Sequence, residues 1–274
     1  MKIALTGANG FIASNIIKKF PNYITINRND SEKDILKKLE NVDVVFNLAG
    51  ATILKRWNEN YKKTLVSSRI QTTKKLVNAI NKSSIKHFIS TSAIGIYPDN
   101  TPCDESCTNL ADNFLGNLAK KWEEEALKSN KPTAIFRLGV VLGNGGALKE
   151  ILLPFKFGFG GIIGNGEMKM SWIDIDDLIR MYQFIIKNHL TGIFNATAPY
   201  SVTNTEFTKT LAKTLNRPAI FKIPEFLLYL KYSEGAKVLT SSKEIYPKRI
   251  LKEGFEFKYP TIKKSLNHLL CKNN

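Results

Sequence analysis

Residues 3–13 read IALTGANGFIA, a short apolar strand followed by a glycine turn and the start of an apolar helix. Gly7 and Gly10 allow a left-handed backbone and a close approach of the main chain to a bound group. A helix beginning at Phe11 points its free N–H groups and the positive end of its dipole at that turn. This order is typical of a pyrophosphate cradle in dinucleotide-binding domains, and Ala13 is tolerated at the third glycine position. The alternative is an ordinary βα turn in a domain that binds no nucleotide.

Beyond this segment, short apolar runs alternate with longer helical patterns. The strand-like runs cover residues 2–6, 23–27, 42–47, 87–91 and 133–137. The helical patterns cover residues 11–20, 34–39, 61–80 and 112–127. Such alternation predicts βαβ units. The predicted fold class is therefore α/β, a Rossmann doubly wound parallel sheet with helices on both faces.

The pattern changes after about Gly139. Eight glycines between Gly143 and Gly166 predict a long irregular loop, a kind of segment in which binding sites are common. The elements predicted after it are a strand over 169–173, a helix over 174–186, a strand over 192–195 and a helix over 205–215. We predict a Rossmann nucleotide-binding core over residues 1–150 and a small C-terminal α/β substrate lobe over residues 151–274. Within the second part, residues 168–200 are expected to return to the sheet.

The composition excludes several classes of protein. The 274 residues include 40 basic and 24 acidic side chains, a net charge of +16, but the lysines are scattered in pairs. We therefore expect no nucleic-acid partner. No apolar run approaches the roughly 20 residues of a membrane span, and the short apolar start predicts neither membrane contact nor a signal peptide. Three cysteines fit a reducing cytoplasm, and the isolated His87, His189 and His268 predict no metal site.

The second strand indicates which dinucleotide the cradle takes. NAD enzymes place an acid about 20 residues after the glycine turn, where it binds the ribose 2′-hydroxyl. Here the strand ends in Asn27-Arg28-Asn29, and no acid comes before Asp30. The Arg28 guanidinium suits a 2′-phosphate, which it can bind through two hydrogen bonds. The sequence thus favours NADP(H) over NAD(H). The alternative is that Arg28 is a solvated loop residue.

Motifs along essentially the whole chain resemble one family. The matching stretches include residues 6–12 (TGANGFI), 47–51 (NLAGA), 67–70 (SSRI), 90–97 (STSAIGIY), 137–143 (RLGVVLG), 170–177 (MSWIDIDD), 194–199 (FNATAP) and 247–249 (PKR). They resemble the extended short-chain dehydrogenase/reductase superfamily and, within it, the atypical YfcH-type "epimerase family" of NAD-dependent epimerase/dehydratase-like proteins. The resemblance implies a Rossmann domain with a small substrate lobe, a nicotinamide cofactor and action as a sugar-nucleotide epimerase or reductase.

The same resemblance implies cofactor contacts position by position. Those at the pyrophosphate are Gly7, Ala8, Asn9, Gly10, Phe11 and Ile12, while Arg28 meets the adenosine ribose phosphate. Those along the cofactor after the third strand are Leu48, Ala49 and Gly50. Those beside the nicotinamide, at the end of the fourth strand, are Ser90, Thr91 and Ser92. Those that follow the fifth strand are Arg137, Leu138 and Gly139.

The proton-transfer pair of that superfamily is missing here. Its reductases use a Tyr and a Lys four residues later on one helix, with a Ser from the preceding strand that positions the substrate oxygen. Ser92 supplies the serine. The residues at the Tyr position are Phe114 or Leu115, and those at the Lys position are Leu118 or Ala119. None of these four side chains can transfer a proton.

Other side chains are candidates for the missing proton donor. Tyr97 lies just past the serine strand, and we predict Ser92 and Tyr97 as the catalytic residues. Further candidates, each with a purely structural alternative, are Lys120, Lys121, Asp174 and Asp176. Asp174 in particular is placed to cap the helix that follows it, and relatives usually carry His there.

Two functions from different classes follow. The first is an NADP(H)-dependent oxidoreductase or epimerase-like enzyme whose small or sugar-nucleotide-like substrate lies between the Rossmann core and residues 143–166. The second is a non-catalytic NADP(H)-binding sensor or regulatory protein, which the missing Tyr/Lys pair favours. A small molecule is the expected partner, and the sequence leaves the oligomeric state open between monomer and dimer.

Overall fold

The computed structural model describes residues 1–271, and its centre is a six-stranded parallel sheet. The strands are β1 (Ile3–Thr6), β2 (Tyr23–Ile26), β3 (Val44–Asn47), β4 (His87–Ala93), β5 (Thr133–Leu138), β6 (Val140–Leu142), β7 (Gly161–Ile163), β8 (Lys169–Met170), β9 (Trp172–Asp174), β10 (Gly192–Ala196), β11 (Val202–Thr203) and β12 (Phe221–Ile223). The helices are α1 (Phe11–Lys19), α2 (Glu32–Lys38), α3 (Glu59–Val66), α4 (Thr72–Ile80), α5 (Phe114–Ala126), α6 (Gly146–Lys156), α7 (Ile175–Lys187), α8 (Asn204–Thr214), α9 (Glu225–Tyr232), α10 (Lys237–Thr240), α11 (Lys248–Lys252) and α12 (Ile262–Leu270).

The sheet is buried because helices cover both of its faces. The strands β1 and β3 read IALT and VVFN and are buried along their whole length, as a parallel sheet covered on both faces requires. Ile16 of α1 and Tyr182 of α7 pack on one face. Ile35 of α2 and Leu76 of α4 pack on the other. The predicted fold class, a doubly wound Rossmann sheet with a small C-terminal lobe, is confirmed.

The strands are ordered β2-β1-β3-β4-β5-β10 across the sheet, and the order reverses at β1, because β2 and β3 pair with its opposite edges. At such a point the carboxyl ends of the strands diverge and open a crevice, the usual ligand site of doubly wound sheets. The glycine turn after β1 lies at this crevice. The fold thus positions the candidate cradle where a dinucleotide binds in proteins of this architecture.

The prediction of a long irregular loop over residues 143–166 is wrong, because α6 and β7 form within it. The first glycines of the segment allow close packing against a residue distant in sequence. A Cβ on Gly143 or Gly145 would lie 2.5 or 2.6 Å from the ring of Phe11, at the start of α1. The backbone therefore passes directly over that ring. Phe155 of α6 is buried in the core cluster against which Phe11 packs, so the segment is held against the start of α1.

The C-terminal part contributes to the sheet before it builds the smaller lobe. The strand β10 pairs with β5 and is the sixth strand of the sheet. The predicted strand over 169–173 is split at Ser171 into β8, which pairs with β11, and β9, which pairs with β6. The lobe contains the β7–β12 pair and the packed helices α8 and α12. Within residues 1–271, no helix combines the length and apolar character needed to cross a bilayer.

Candidate functional site

The glycine turn between β1 and α1 forms an open cradle. Gly7 has φ +69°, and a Cβ there would lie 2.9 Å from the carbonyl oxygen of Leu48. Gly10 precedes α1 without a side-chain cap, and the first turn of α1 holds no acidic residue. The N–H groups of that turn therefore face the crevice with no side-chain acceptor, and no protein carboxylate offsets the helix dipole there. This arrangement fits a pyrophosphate.

A buried polar network fixes the loop beside the cradle. The Thr6 hydroxyl donates to Asn47 Oδ1 at 3.0 Å and accepts the N–H groups of Leu48 and Ala49, each at 3.0 Å. Asn47 in turn donates to the Thr73 hydroxyl at 2.7 Å. Sequence reasoning missed these supporting residues, although a polar residue at the end of a buried strand was a signal that could have found them. The network holds the predicted cofactor-binding loop against Gly7.

Arg28 lies exposed beyond the end of β2, in a basic corner of the crevice. Lys75 Nζ donates to the carbonyl oxygens of Arg28 at 3.1 Å and of Asp30 at 2.6 Å. The Asp30 carboxylate is already engaged by Lys38 Nζ at 2.5 Å and by the Asn27 N–H at 2.7 Å. Because that acid is occupied, cationic groups dominate the position where an adenosine ribose would lie.

Arg69 is a charged residue to which the sequence assigned no role. It lies in a π-helical turn (Ser67–Gln71) that divides the predicted helix over 61–80 into α3 and α4. Its guanidinium donates to the Ala51 carbonyl at 3.0 Å and lies 5.4 Å from the ring of Trp122. Within residues 1–271 no carboxylate pairs with it, and burial lowers the pKa of Arg69 to about 10. A half-buried cation that has no protein counter-charge among the described residues, and that lies beside the cradle loop, suits an anionic ligand.

The remaining predicted cofactor contacts lie along the same edge of the sheet. The exposed ones are Asn9, Gly10 and Gly50, and the half-buried ones are Gly7, Ala8, Phe11, Ile12, Leu48, Ala49, Thr91, Leu138 and Gly139. Ser90 is fully buried, and its hydroxyl accepts a hydrogen bond from Asn47 at 3.2 Å. Ser90 therefore supports the cradle loop from below.

A buried chain of hydrogen bonds joins the predicted catalytic residues. Ser92 Oγ donates to Glu123 at 2.6 Å, and Arg137 donates to both Glu123 oxygens, from Nε at 2.8 Å and from Nη2 at 2.7 Å. Arg137 Nη1 donates to the Tyr97 hydroxyl at 2.7 Å, and that hydroxyl donates to Asn195 Oδ1 at 2.8 Å. None of these five residues is more than 5% exposed.

The network places Ser92, Tyr97 and the Arg137 guanidinium in the interior. Burial raises the pKa of Tyr97 to about 12, although the Arg137 charge lowers it. The phenol is therefore a poor acid or base near neutral pH, and its hydroxyl already has two partners. Catalysis by Ser92 and Tyr97, and cofactor binding by the Arg137 side chain, stay predictions. In this fold, hydrogen bonds within the network occupy all three side chains.

A cleft of about 690 Å³ lies between the start of α5 and the C-terminal lobe. The residues on its walls include Trp57, Asn100, Phe114, Asn165 and Tyr229. They come from the segments before α3, after β4, at the start of α5 and before β8, and from α9. The cleft has the size and the mixed polar and aromatic lining of a small-molecule site.

The start of α5 presents apolar side chains where the superfamily carries its proton-transfer pair. Phe114 packs edge-on against Trp57, with ring centroids 5.4 Å apart, and lines the cleft. Leu118 is buried beneath it. Lys120 and Lys121 are exposed on the same helix. The α5 side chains that line the cleft, Phe114 and Leu115, are therefore apolar.

Residues 3–197 match the model of the NAD dependent epimerase/dehydratase family. The chain belongs to this family. Residues 223–269 of this epimerase/dehydratase family member match a second model, described as a domain of unknown function (DUF1731). The resemblance read from the sequence motifs is thereby confirmed.

The similarity of this epimerase/dehydratase family member to individual proteins extends over almost its whole length. It is 34% identical over 296 residues to Epimerase family protein SAR0825 of Staphylococcus aureus (strain MRSA252), with 98% of each chain covered. It is 32% identical over 299 residues to Epimerase family protein YfhF of Bacillus subtilis (strain 168), with 99% of this chain and 98% of that one covered. Human epimerase family protein SDR39U1 (isoform2), solved with NADPH, superposes with a TM-score of 0.92 at 29% identity over 99% of this chain and 100% of that chain.

Asp174, a predicted helix cap, has that role in this family member. Its carboxylate accepts the Asp176 N–H at 2.9 Å and caps α7, and it also accepts the Ser265 hydroxyl at 2.6 Å. His268 Nε2 lies 2.9 Å from the Asp176 carboxylate. The fold therefore brings this histidine, which is isolated in the sequence, next to the acidic start of α7. Burial raises the pKa of Asp174 to about 6, although the Ser265 hydrogen bond lowers it.

The raised pKa of Asp174 predicts a pH-dependent contribution to stability. Between the unfolded pKa, near 4, and the folded pKa, about 6, the native state binds more protons, so stability falls as pH rises. Asp174→Asn keeps a good cap without titrating. We expect the stability of Asp174→Asn relative to wild type to rise by about 1–3 kcal/mol between about pH 4 and pH 7. Urea unfolding of both proteins across this range measures the difference, and a constant difference would contradict the assignment.

Proposed function

We propose that this chain is an NADP(H)-dependent oxidoreductase or epimerase-like enzyme acting on a small polar substrate in the cleft. The observation that carries the proposal is the open cradle formed by Gly7, Gly10 and the uncapped start of α1. A bound nicotinamide dinucleotide supplies or accepts the hydride, while the chain binds its phosphates and orients it. In this proposal residues 1–150 hold the cofactor and residues 151–274 contribute most of the substrate side. Three free cysteines support a reducing cytoplasm as its compartment.

Two observations support NADP(H) over NAD(H). The human relative SDR39U1 was solved with NADPH. In this chain, Arg28 shares the end of β2 with Lys38 and Lys75, and the Asp30 carboxylate is engaged by Lys38. A ribose 2′-phosphate meets cations there, whereas a 2′-hydroxyl finds no free carboxylate to accept its proton.

The test of the cofactor proposal is a titration of NADPH and NADH followed by nicotinamide fluorescence. We expect NADPH to bind at least about tenfold more tightly, and Arg28→Ala to remove most of that preference, because a charge-assisted phosphate contact is lost. Arg217→Ala is the matched control, since Arg217 is also exposed but follows α8 in the other lobe. Equal wild-type affinities for the two nucleotides would refute the assignment of Arg28.

Arg69 lies where it could bind the diphosphate, which NADPH and NADH have in common. We propose that its guanidinium faces the diphosphate beside Gly50, where a Cβ would lie 3.1 Å from Arg69 Cζ. Arg69→Met is then expected to weaken NADPH and NADH by the same factor, about 10- to 100-fold, and to leave their ratio unchanged. Arg69→Lys retains the charge and should recover part of the loss. A changed ratio, or unchanged affinities in a folded Arg69→Met variant, would remove Arg69 from the diphosphate site.

A non-catalytic NADP(H)-binding sensor is the second candidate function. The observation that favours it is the apolar start of α5 together with the buried engagement of Ser92 and Tyr97. Incubation of the protein and NADPH with a panel of aldehydes and ketones separates the two functions, since only an enzyme oxidises NADPH in a substrate-dependent way. Tight NADPH binding without turnover across the panel supports the sensor.

A further inference from the structure

The cleft is acidic in a protein that is strongly basic overall. The chain has a net charge of +16. The charged residues that line the cleft are nonetheless the carboxylates Asp99, Glu167, Glu225 and Glu234, with Lys237 as the cation. Among residues 1–271, no arginine lines it. The local charge is opposite to that of the molecule, so it is a feature of this site and not of the composition.

Two of the four carboxylates are paired with cations that approach from outside the lining. Asp99 pairs with Lys243 at 2.9 Å, and Lys243 is 8% exposed. Glu234 pairs with Lys62 at 2.8 Å. These two lysines are thereby committed to protein carboxylates and are not free to bind an incoming phosphate.

Glu167 and Glu225 are the carboxylates that face the cleft without a cation. In the part of the chain that the structure describes, neither forms an ion pair. The Glu167 carboxylate accepts a hydrogen bond from Asn165 Nδ2 at 3.0 Å. The Glu225 carboxylate lies alongside Gly164, where a Cβ would be 2.6 Å from Glu225 Oε1. The two acids thus contact the neighbouring residues Asn165 and Gly164, and Lys237 is the one cation among the described residues that line the cleft.

The N-termini of α5 and α9 at the cleft are each associated with a protein side-chain oxygen or carboxylate. The start of α5 is capped by Asn113, whose Oδ1 accepts the Gly116 N–H at 2.9 Å. The first turn of α9 contains Glu225 itself. A carboxylate at that position already interacts with the helix dipole. A protein oxygen atom thus caps the start of α5, whereas the start of α9 has no side-chain cap but carries a carboxylate in its first turn.

The rest of the lining is neutral and able to form hydrogen bonds. Amides and hydroxyls come from Asn100, Thr240 and Ser241, and aromatic surface comes from Trp57 and Phe114. These groups recognise hydroxyl and amino substituents and stack against an apolar ring face or a cation. The volume of about 690 Å³ would accommodate a nucleoside diphosphate sugar, so charge and not size decides which ligands enter.

We infer that the cleft takes a small substrate that is uncharged or cationic and carries no phosphate, and that it excludes nucleoside diphosphate sugars. The inference rests on the proposed function for its use of the cleft as the substrate site. It replaces the sugar-nucleotide-like substrate expected from the family resemblance by a hydroxyl- or amine-bearing compound. Glu167 and Glu225 are its specificity-determining residues.

Charged thiol reagents test the potential of the cleft without any substrate. The probe protein carries Ser241→Cys together with Cys107→Ser and Cys271→Ser, while Cys103 is buried. Two methanethiosulfonate reagents are used, a cationic trimethylammonium-ethyl and an anionic sulfonato-ethyl compound. Labelling rates are measured by intact mass, and each rate is divided by the rate of the same reagent with a small free thiol. We expect the cation-to-anion rate ratio at the cleft to exceed that at native Cys271, in a Cys107→Ser reference protein, by about tenfold.

Two further arms decide between outcomes. Glu167→Gln with Glu225→Gln should lower the ratio at the Ser241→Cys thiol by about three- to tenfold and leave the Cys271 ratio unchanged. With NADPH saturating, millimolar UDP-glucose should leave the thermal midpoint of the wild-type protein unchanged. A cleft ratio at or below that of Cys271, or a UDP-glucose shift, would overturn the inference. Failure of NADPH to bind would instead contradict the proposed function. The labelling ratio would still measure the electrostatic potential of the cleft.

Discussion

Arg137→Met is expected to lower the free energy of unfolding by about 3–5 kcal/mol, among the largest effects of any single substitution in this chain. The Arg137 and Glu123 side chains are each 6% exposed and joined through two charge-assisted hydrogen bonds, at 2.8 and 2.7 Å. Methionine fills much of the volume but leaves the Glu123 carboxylate buried with Ser92 as its remaining donor. The uncompensated charge, more than the lost pair, causes the loss. Urea unfolding at neutral pH measures it.

An exposed ion pair provides the control for this prediction. Lys82 pairs with Glu32 at 2.5 Å, but the side chains are 63% and 36% exposed. Lys82→Met should therefore have a far smaller effect than Arg137→Met. Adding Glu123→Gln to Arg137→Met should restore part of the loss, because the buried charge is removed with its partner. A loss for Arg137→Met no larger than that for Lys82→Met would show that the buried pair does not support the fold.

The sheet could be predicted from the sequence because local signals agree there with the tertiary structure. The strands β1 and β3 are short apolar runs, and helices of the correct period separate them. The start of the segment 143–166 could not be predicted, because Gly143, Gly145 and Gly146 pack against the ring of Phe11, which is distant in sequence. From sequence alone, a glycine needed for close packing cannot be distinguished from one needed for a loop, because the residue against which it packs is unknown. The same applies to Arg69, which is notable because no carboxylate within residues 1–271 pairs with it.

The candidate site divides in the same way. The cradle is a local feature of consecutive residues, so the strand–turn–helix pattern identifies it. The buried hydrogen-bond network joins residues up to 98 positions apart, namely Ser92, Tyr97, Glu123, Arg137 and Asn195. Their spacing along the chain does not predict that they meet. For that reason the sequence predicts Ser92 and Tyr97 as catalytic residues but does not predict the partners that bind their hydroxyls in the fold.

Gly7→Ala is expected to reduce NADPH affinity by at least about 100-fold, because the cradle and the loop that it touches must separate. Gly7 has φ +69°, and a Cβ there would lie 2.9 Å from Leu48 O and 3.1 Å from Ala49 Cα, both backbone atoms. Backbone cannot yield as a flexible side-chain end can, so the Leu48–Ala49 loop is displaced along the proposed cofactor path. The left-handed conformation also costs about 1–2 kcal/mol once a side chain is present. Nucleotide fluorescence and urea unfolding measure the two effects separately.

Gly254→Ala is the control that separates strain from displacement. Gly254 has φ +88°, but a Cβ there meets nothing within 4 Å. It should therefore lose a similar amount of stability to the left-handed conformation while binding NADPH as wild type does. If Gly7→Ala bound NADPH normally, the cradle would not be the nucleotide site. If both variants lost binding equally, general destabilisation would explain the loss. Only a selective loss in Gly7→Ala ties the nucleotide to the close contact between the β1–α1 turn and the loop after β3.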